Sequence, residues 1–165
     1  MLSHAQGCAC NGALGVDSAQ GRRAARPWQP RGTAVDRDNL PVIDQRTLVE
    51  VGRATGGAVL ARIIATFIDE LASRRHALAR AMDPVDPAGI KQVAHAIKSS
   101  AGTFGARRLE HAATVAEGVC LGEGQTTDGA PLPALSIGEA AARLEAAIEE
   151  TSASYRMLDS KTFET

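Results

Sequence analysis

The stretch GAVLARIIATFIDELASRRHALARAM, from residue 57 onward, carries apolar side chains at 59, 60, 63, 64, 67, 68, 71 and 78. Steps of three, four and seven residues bring these positions onto one face of a helix, so the stretch predicts a long amphipathic helix with one buried stripe. Upstream, LPVIDQRTLVEVGRA has a shorter stripe at Val42, Leu48 and Val51 and a capping residue in Asp44, which predicts a short leading helix ending at Gly56-Gly57. Asp83-Pro84 and Asp86-Pro87 close the long helix and open the next, because proline suits a first helical position and aspartate the one before it.

The next predicted helix runs from Pro87 to about Thr103. At about 100° per residue, Val93, Ala94, Ile97, Ala101 and Phe104 fall within about 60° of Ile90 and form one core stripe. Gly105 marks a turn, ARRLEHAATVAEGVCL resumes a helical period, and GEGQTTDGAPLP reads as a polar loop. ALSIGEAAARLEAAIEETSASYRML then predicts a long last helix, with Leu135, Ala142, Leu144, Ala147, Ile148 and Leu158 along its apolar side. Four substantial helices and a short one define the expected fold class: all-α, an antiparallel four-helix bundle with a short extra N-terminal helix, over residues 39–160. Residues 1–38, ending in GRRAARPWQPRGTAVDRD, show no apolar period and read as a flexible Gly/Ala/Arg/Pro-rich leader or linker, with Trp28 between prolines.

Composition agrees with this outline. A chain of 165 residues that is 44% hydrophobic can bury one sizeable core, and an aromatic content of 3% suits close-packed helices better than a β-sandwich. The formal net charge of −1 gives no overall pull toward nucleic acid or an anionic membrane, so neither is an expected partner. Three cysteines are too few for a disulfide scaffold, and His4, Cys8 and Cys10 match no standard zinc spacing, so no metal site is expected. The most apolar run, AVLARIIATFI, is short and interrupted by Arg62, and the first residues lack a signal-peptide pattern; a cytoplasmic protein is expected.

The candidate chemistry lies in AHAIKSSAGTFGA, residues 94–106. His95 falls about 140° from Ile90, with Gln92, Ser99 and Gly102 near it, so its imidazole points away from the stripe that must be buried. Lys98 stands one turn further on, and Ser99 and Gly102 keep the surface beside the ring low. A serine or cysteine triad would need a concave site and an aligned nucleophile, and zinc would need further ligands flanking His95. An exposed neutral imidazole is instead a competent nucleophile toward phosphorus, and a nearby ammonium offsets the added charge.

These residues resemble the histidine-containing phosphotransfer (HPt) domain of bacterial multistep phosphorelays. The likeness rests on His95, Ile97, Lys98, Ser99, Ser100, Ala101, Gly105, Ala106, Leu109 and Glu117 in the family's spacing, with Phe67 upstream, and covers about residues 40 to 120. Three positions depart from the family pattern: Ile97 for Leu, Ala116 where a larger apolar residue is usual, and Ser99 for the common Gly beside the histidine. The resemblance implies that His95 is the phosphoacceptor, taking a phosphoryl group from one receiver-domain aspartate and passing it to another. It implies that Lys98 stabilises phosphoryl charge and that Glu117 can accept from the ring's other nitrogen; a solvated carboxylate is the competing reading of Glu117. It further implies response-regulator receiver domains and a hybrid sensor kinase as partners. The chain would act as a monomeric phosphocarrier rather than an autonomous kinase, with no cofactor of its own because the receiver supplies Mg2+.

Gln92, Ser99, Gly102 and Arg107 are the expected docking residues, Arg107 with Arg108 offering charge to an acidic receiver cleft. His76 and His111 lack the lysine three residues on and read as ordinary surface or boundary histidines. A sensor kinase's own phosphoacceptor helix usually has an acidic residue directly after the histidine, where Ala96 stands here. A helical interaction module without phosphoryl chemistry shares the fold and the surface, and phosphorylation separates it from a phosphocarrier.

Overall fold

A computed structural model of the chain describes residues 39–126 and 129–158. The leader expected over 1–38, with Trp28, His4, Cys8 and Cys10, lies outside the described residues. Five helices follow in order: α1 Gln45–Thr55, α2 Gly57–Met82, α3 Pro87–Phe104, α4 Arg107–Leu121 and α5 Ile137–Arg156.

Local chemistry sets most of these boundaries. Asp44 caps α1, its side chain accepting from the Arg46 amide at 3.1 Å and the Thr47 hydroxyl at 3.0 Å. Asp86 caps α3 by accepting from Ala88 N, with Pro87 in the first turn. Gly105 ends α3 at φ 71°, a left-handed conformation in which its amide reaches the carbonyls of Ala101 and Gly102. No side chain would fit there, since a Cβ would sit 2.8 Å from Thr47 Cβ and 3.0 Å from Asp44 O. That close approach lets Asp44 N donate to Gly105 O at 2.8 Å, which fastens the start of α1 to the α3–α4 turn.

Helix α3 packs on α2 and α4, and α5 closes the ring against α4 and α2, while α1 lies against α2 and α3. The short α2–α3 and α3–α4 connections make neighbours antiparallel. The core is aliphatic, with one aromatic centre. Phe67 of α2 stacks on Phe104 with ring centroids 4.5 Å apart and meets Tyr155 edge-on at 5.4 Å, and the Tyr155 hydroxyl donates to Phe104 O at 2.6 Å. Burial raises the Tyr155 phenol well above its usual pKa, so the group stays a donor.

The α3 stripe lies where the spacing predicts, with Ile90, Val93, Ala94, Ile97 and Ala101 buried and Phe104 packed against them. Two details differ elsewhere. Val59 is exposed, because the buried stripe of α2 runs through Leu60, Ile64, Phe67, Leu71 and Leu78 and Val59 stands about 100° from Leu60. On α5, Ala142 faces solvent about 160° from Leu144, while Ala140, Ala141, Thr151, Ser152 and Tyr155 turn inward. Leu135 and Leu158 lie just beyond the ends of α5, both partly buried.

Candidate functional site

Anchored by its buried stripe, α3 presents His95 outward with 64% of the side chain exposed. Gln92 and Ser99 share this exposed strip, and Gly102 lies half-buried one turn beyond. The antiparallel α4 supplies the neighbour across the seam. Ala113 and Ala116 pack into the core, with Ala116 fully buried, and Glu117 stands at the edge with 15% of its side chain exposed.

Glu117 Oε1 lies 2.7 Å from His95 Nδ1, and Glu117 Oε2 lies 2.5 Å from Lys98 Nζ. One carboxylate thus holds the imidazole with one oxygen and the ammonium with the other. Burial alone would raise the Glu117 pKa, but the hydrogen bonds from Lys98 and His95 prevail and hold it below the usual carboxylate range. An ionised carboxylate can only accept, so the proton at this contact belongs to Nδ1, and in the neutral ring the lone pair is then on Nε2. Partial burial strengthens both contacts relative to a fully solvated pair.

The strip around His95 is polar yet largely self-satisfied. Ser99 Oγ turns back to His95 O at 3.4 Å, Ser100 Oγ to the carbonyls of Ala96 and Ile97, and Thr103 Oγ1 to Ser99 O at 3.1 Å. The Ser99 hydroxyl therefore hugs its own helix.

The sequence-predicted residues do not all meet at the histidine. His95, Lys98 and Glu117 form one hydrogen-bonded cluster, with Gln92 and Ser99 beside it on the same strip. Arg107 is bound within the chain, to Glu110 at 3.1 Å and Asp44 at 3.5 Å, and Arg108 donates to Leu40 O and pairs with Glu150 at 2.5 Å. Glu110 joins Arg107 to the strip, since a Cβ on Gly102 would stand 3.0 Å from Glu110 Oε1. The sequence reading overlooks Glu110 and the link to Asp44. The i,i+3 spacing of Arg107 and Glu110 would have revealed the first, whereas the second joins residues 63 apart. His76 is exposed on α2 and His111 half-buried on α4. Among the described residues no group of three His, Cys, Asp or Glu side chains could hold a metal ion, and no helix is long and apolar enough to cross a membrane.

An outward imidazole braced by a carboxylate from the next helix offers an exposed ring nitrogen, the kind of group that can act as a nucleophile. The family model for the Hpt domain matches residues 62–154, and the chain belongs to that family. Histidine phosphotransfer in two-component signalling is the activity of such domains, and receiver domains and kinases are their partners. The match starts within α2 and runs almost through α5, whereas the motif likeness spans about residues 40 to 120. No curated protein and no solved structure matches the chain.

Proposed function

We propose that His95 is the phosphoacceptor of a multistep phosphorelay, charged by the aspartyl phosphate of one receiver domain and discharged to the aspartate of another. The single observation carrying this reading is the contact of Nδ1 with Glu117, which leaves the Nε2 lone pair on the open side of an exposed ring. In the forward step Nε2 attacks phosphorus, the N–P bond forms as the aspartyl O–P bond breaks, and the electron pair leaves with the aspartate carboxylate. No proton need move. The ring gains positive charge while keeping its Nδ1 proton, and Glu117 faces that charge.

Lys98 is proposed to shift from Glu117 toward the phosphoryl oxygens, one helical turn from His95, when the group arrives. Gln92, Ser99 and Gly102 form the proposed docking strip, with Arg107 at its edge through Glu110. Mg2+ is assigned to the receiver, where it would neutralise the phosphoryl oxygens in flight, so that the bundle contributes position and charge. A hybrid sensor kinase is the proposed source of phosphate, in a cytoplasmic setting.

Mixing the purified chain with a labelled receiver phosphate tests the reading. The expected product is acid-labile label on the wild-type chain and none on His95→Ala. Equal labelling of the two would overturn the assignment, and an unlabelled wild type would leave an interaction module without phosphoryl chemistry.

A further inference from the structure

The face of α4 opposite Glu117 borders a groove of about 620 Å3 shared with α5 and the loop between them. Its depth comes from small side chains. Ala112 and Val115 of α4 and Ala147 of α5 make the floor, and Pro131 and Pro133 of the loop wall one side. Among the described residues the rim carries the Arg108 and Arg143 guanidiniums and one carboxylate, that of Glu150. Arg108 is fixed there by Leu40 O and Glu150. Arg143 is exposed on α5, and the acid that feels its charge, Glu139, is already bonded to Ser136 at the helix start.

We propose that this groove binds a small aromatic carboxylate, its ring system on the alanine and valine floor and its carboxylate at Arg143. Charge complementarity favours an anion, because among the described lining residues two cations face one acid and one cation is spent on that acid. Size favours a small molecule, because the volume lies in the range of small-ligand sites. A planar guanidinium can pair bidentately with a carboxylate and can also stack on an aromatic face. The groove lies on the face of α4 opposite Glu117, the partner of His95, so the two sites could be occupied together.

Titration of the full chain with 2-naphthoate, followed by amide chemical shifts, tests the proposal. Saturable shifts centred on Ala112, Val115 and Ala147 are expected, with neutral 2-naphthamide binding more weakly. Arg143→Glu should weaken naphthoate on the order of fivefold or more while changing naphthamide by less than about twofold. Ala146→Trp, which fills the groove from its exposed edge, should remove both. His95→Ala should bind like the wild type, which separates this site from the phosphotransfer reading. No saturable shift at about millimolar naphthoate would overturn the proposal. So would an unchanged Arg143→Glu affinity, or shifts that follow protein concentration and disappear in Ala146→Trp, which would identify a second copy of the chain as the occupant.

Discussion

Glu117 and His95 face each other across the α3–α4 seam with 2.7 Å between Oε1 and Nδ1, although 22 positions separate them in the chain. We propose that this carboxylate, ionised and mostly covered, sets both the tautomer and the tilt of the ring. Glu117→Ala should slow transfer about tenfold to a hundredfold, the loss of one charge-assisted hydrogen bond. Glu117→Gln, which can still accept through its amide oxygen, should retain more of the rate. Stopped-flow transfer from a phosphorylated receiver checks the order; an alanine variant as fast as the wild type would remove the carboxylate from ring positioning.

Lys98→Ala should slow transfer by about tenfold or more while far-UV circular dichroism stays unchanged, since the side chain is partly exposed and lies outside the core. Wild-type rates in this variant would mean that phosphoryl charge is stabilised wholly by the receiver.

Acid should destabilise the fold in a way that Glu117 governs. Its folded-state pKa lies below the ordinary 4.5, so its contribution is fully present above about 4.5 and disappears as pH falls through the folded value. Asp44 and Glu139, also lowered by hydrogen bonds to Thr47 and to Ser136, respectively, act in the same direction. Urea midpoints measured at neutral pH and below pH ~4 should fall more steeply for the wild type than for Glu117→Gln, and parallel curves would contradict the linkage.

Gly105→Ala should cost about 1–3 kcal/mol, combining a left-handed backbone with a Cβ driven into Thr47 and Asp44. A fall in Tm with loss of amide protection at Asp44 is the expected signature; intact protection there would show that α1 tolerates the added methyl.

Tyr155→Phe should cost about 1–2 kcal/mol, because the Phe104 carbonyl loses its 2.6 Å donor inside the core. Phe67→Ala, which empties the centre of the aromatic cluster, should cost about 3–5 kcal/mol. Thermal or urea unfolding ranks the two, and a reversal of that order would mean that the hydroxyl contact dominates the packing.

Helices α2 and α3 are readable in the sequence because apolar residues recur at one phase between glycine and Asp-Pro breaks, and that phase alone turns His95 outward. Alanine blurs α5. In AAARLEAA a methyl occurs at nearly every phase, so residue type does not separate the inward Ala140 and Ala141 from the exposed Ala142. Tyr155, polar by type, is buried because its hydroxyl finds a carbonyl on another helix. The start of α5 does carry a readable signal in Ser136-x-x-Glu139, a reciprocal capping box that the apolar pattern passes over. For Glu117 the pattern allowed either a solvated carboxylate or a ring partner, because the contact depends on how two helices register side by side.

The hydroxyls that fold back along α3 carry one more consequence. Ser99, Ser100 and Thr103 have already exchanged water for carbonyls of their own helix, so a partner covering this strip strips little bound solvent from them. Such a face is wettable when alone and cheap to dry when covered, which lowers the desolvation cost that a docking partner must offset.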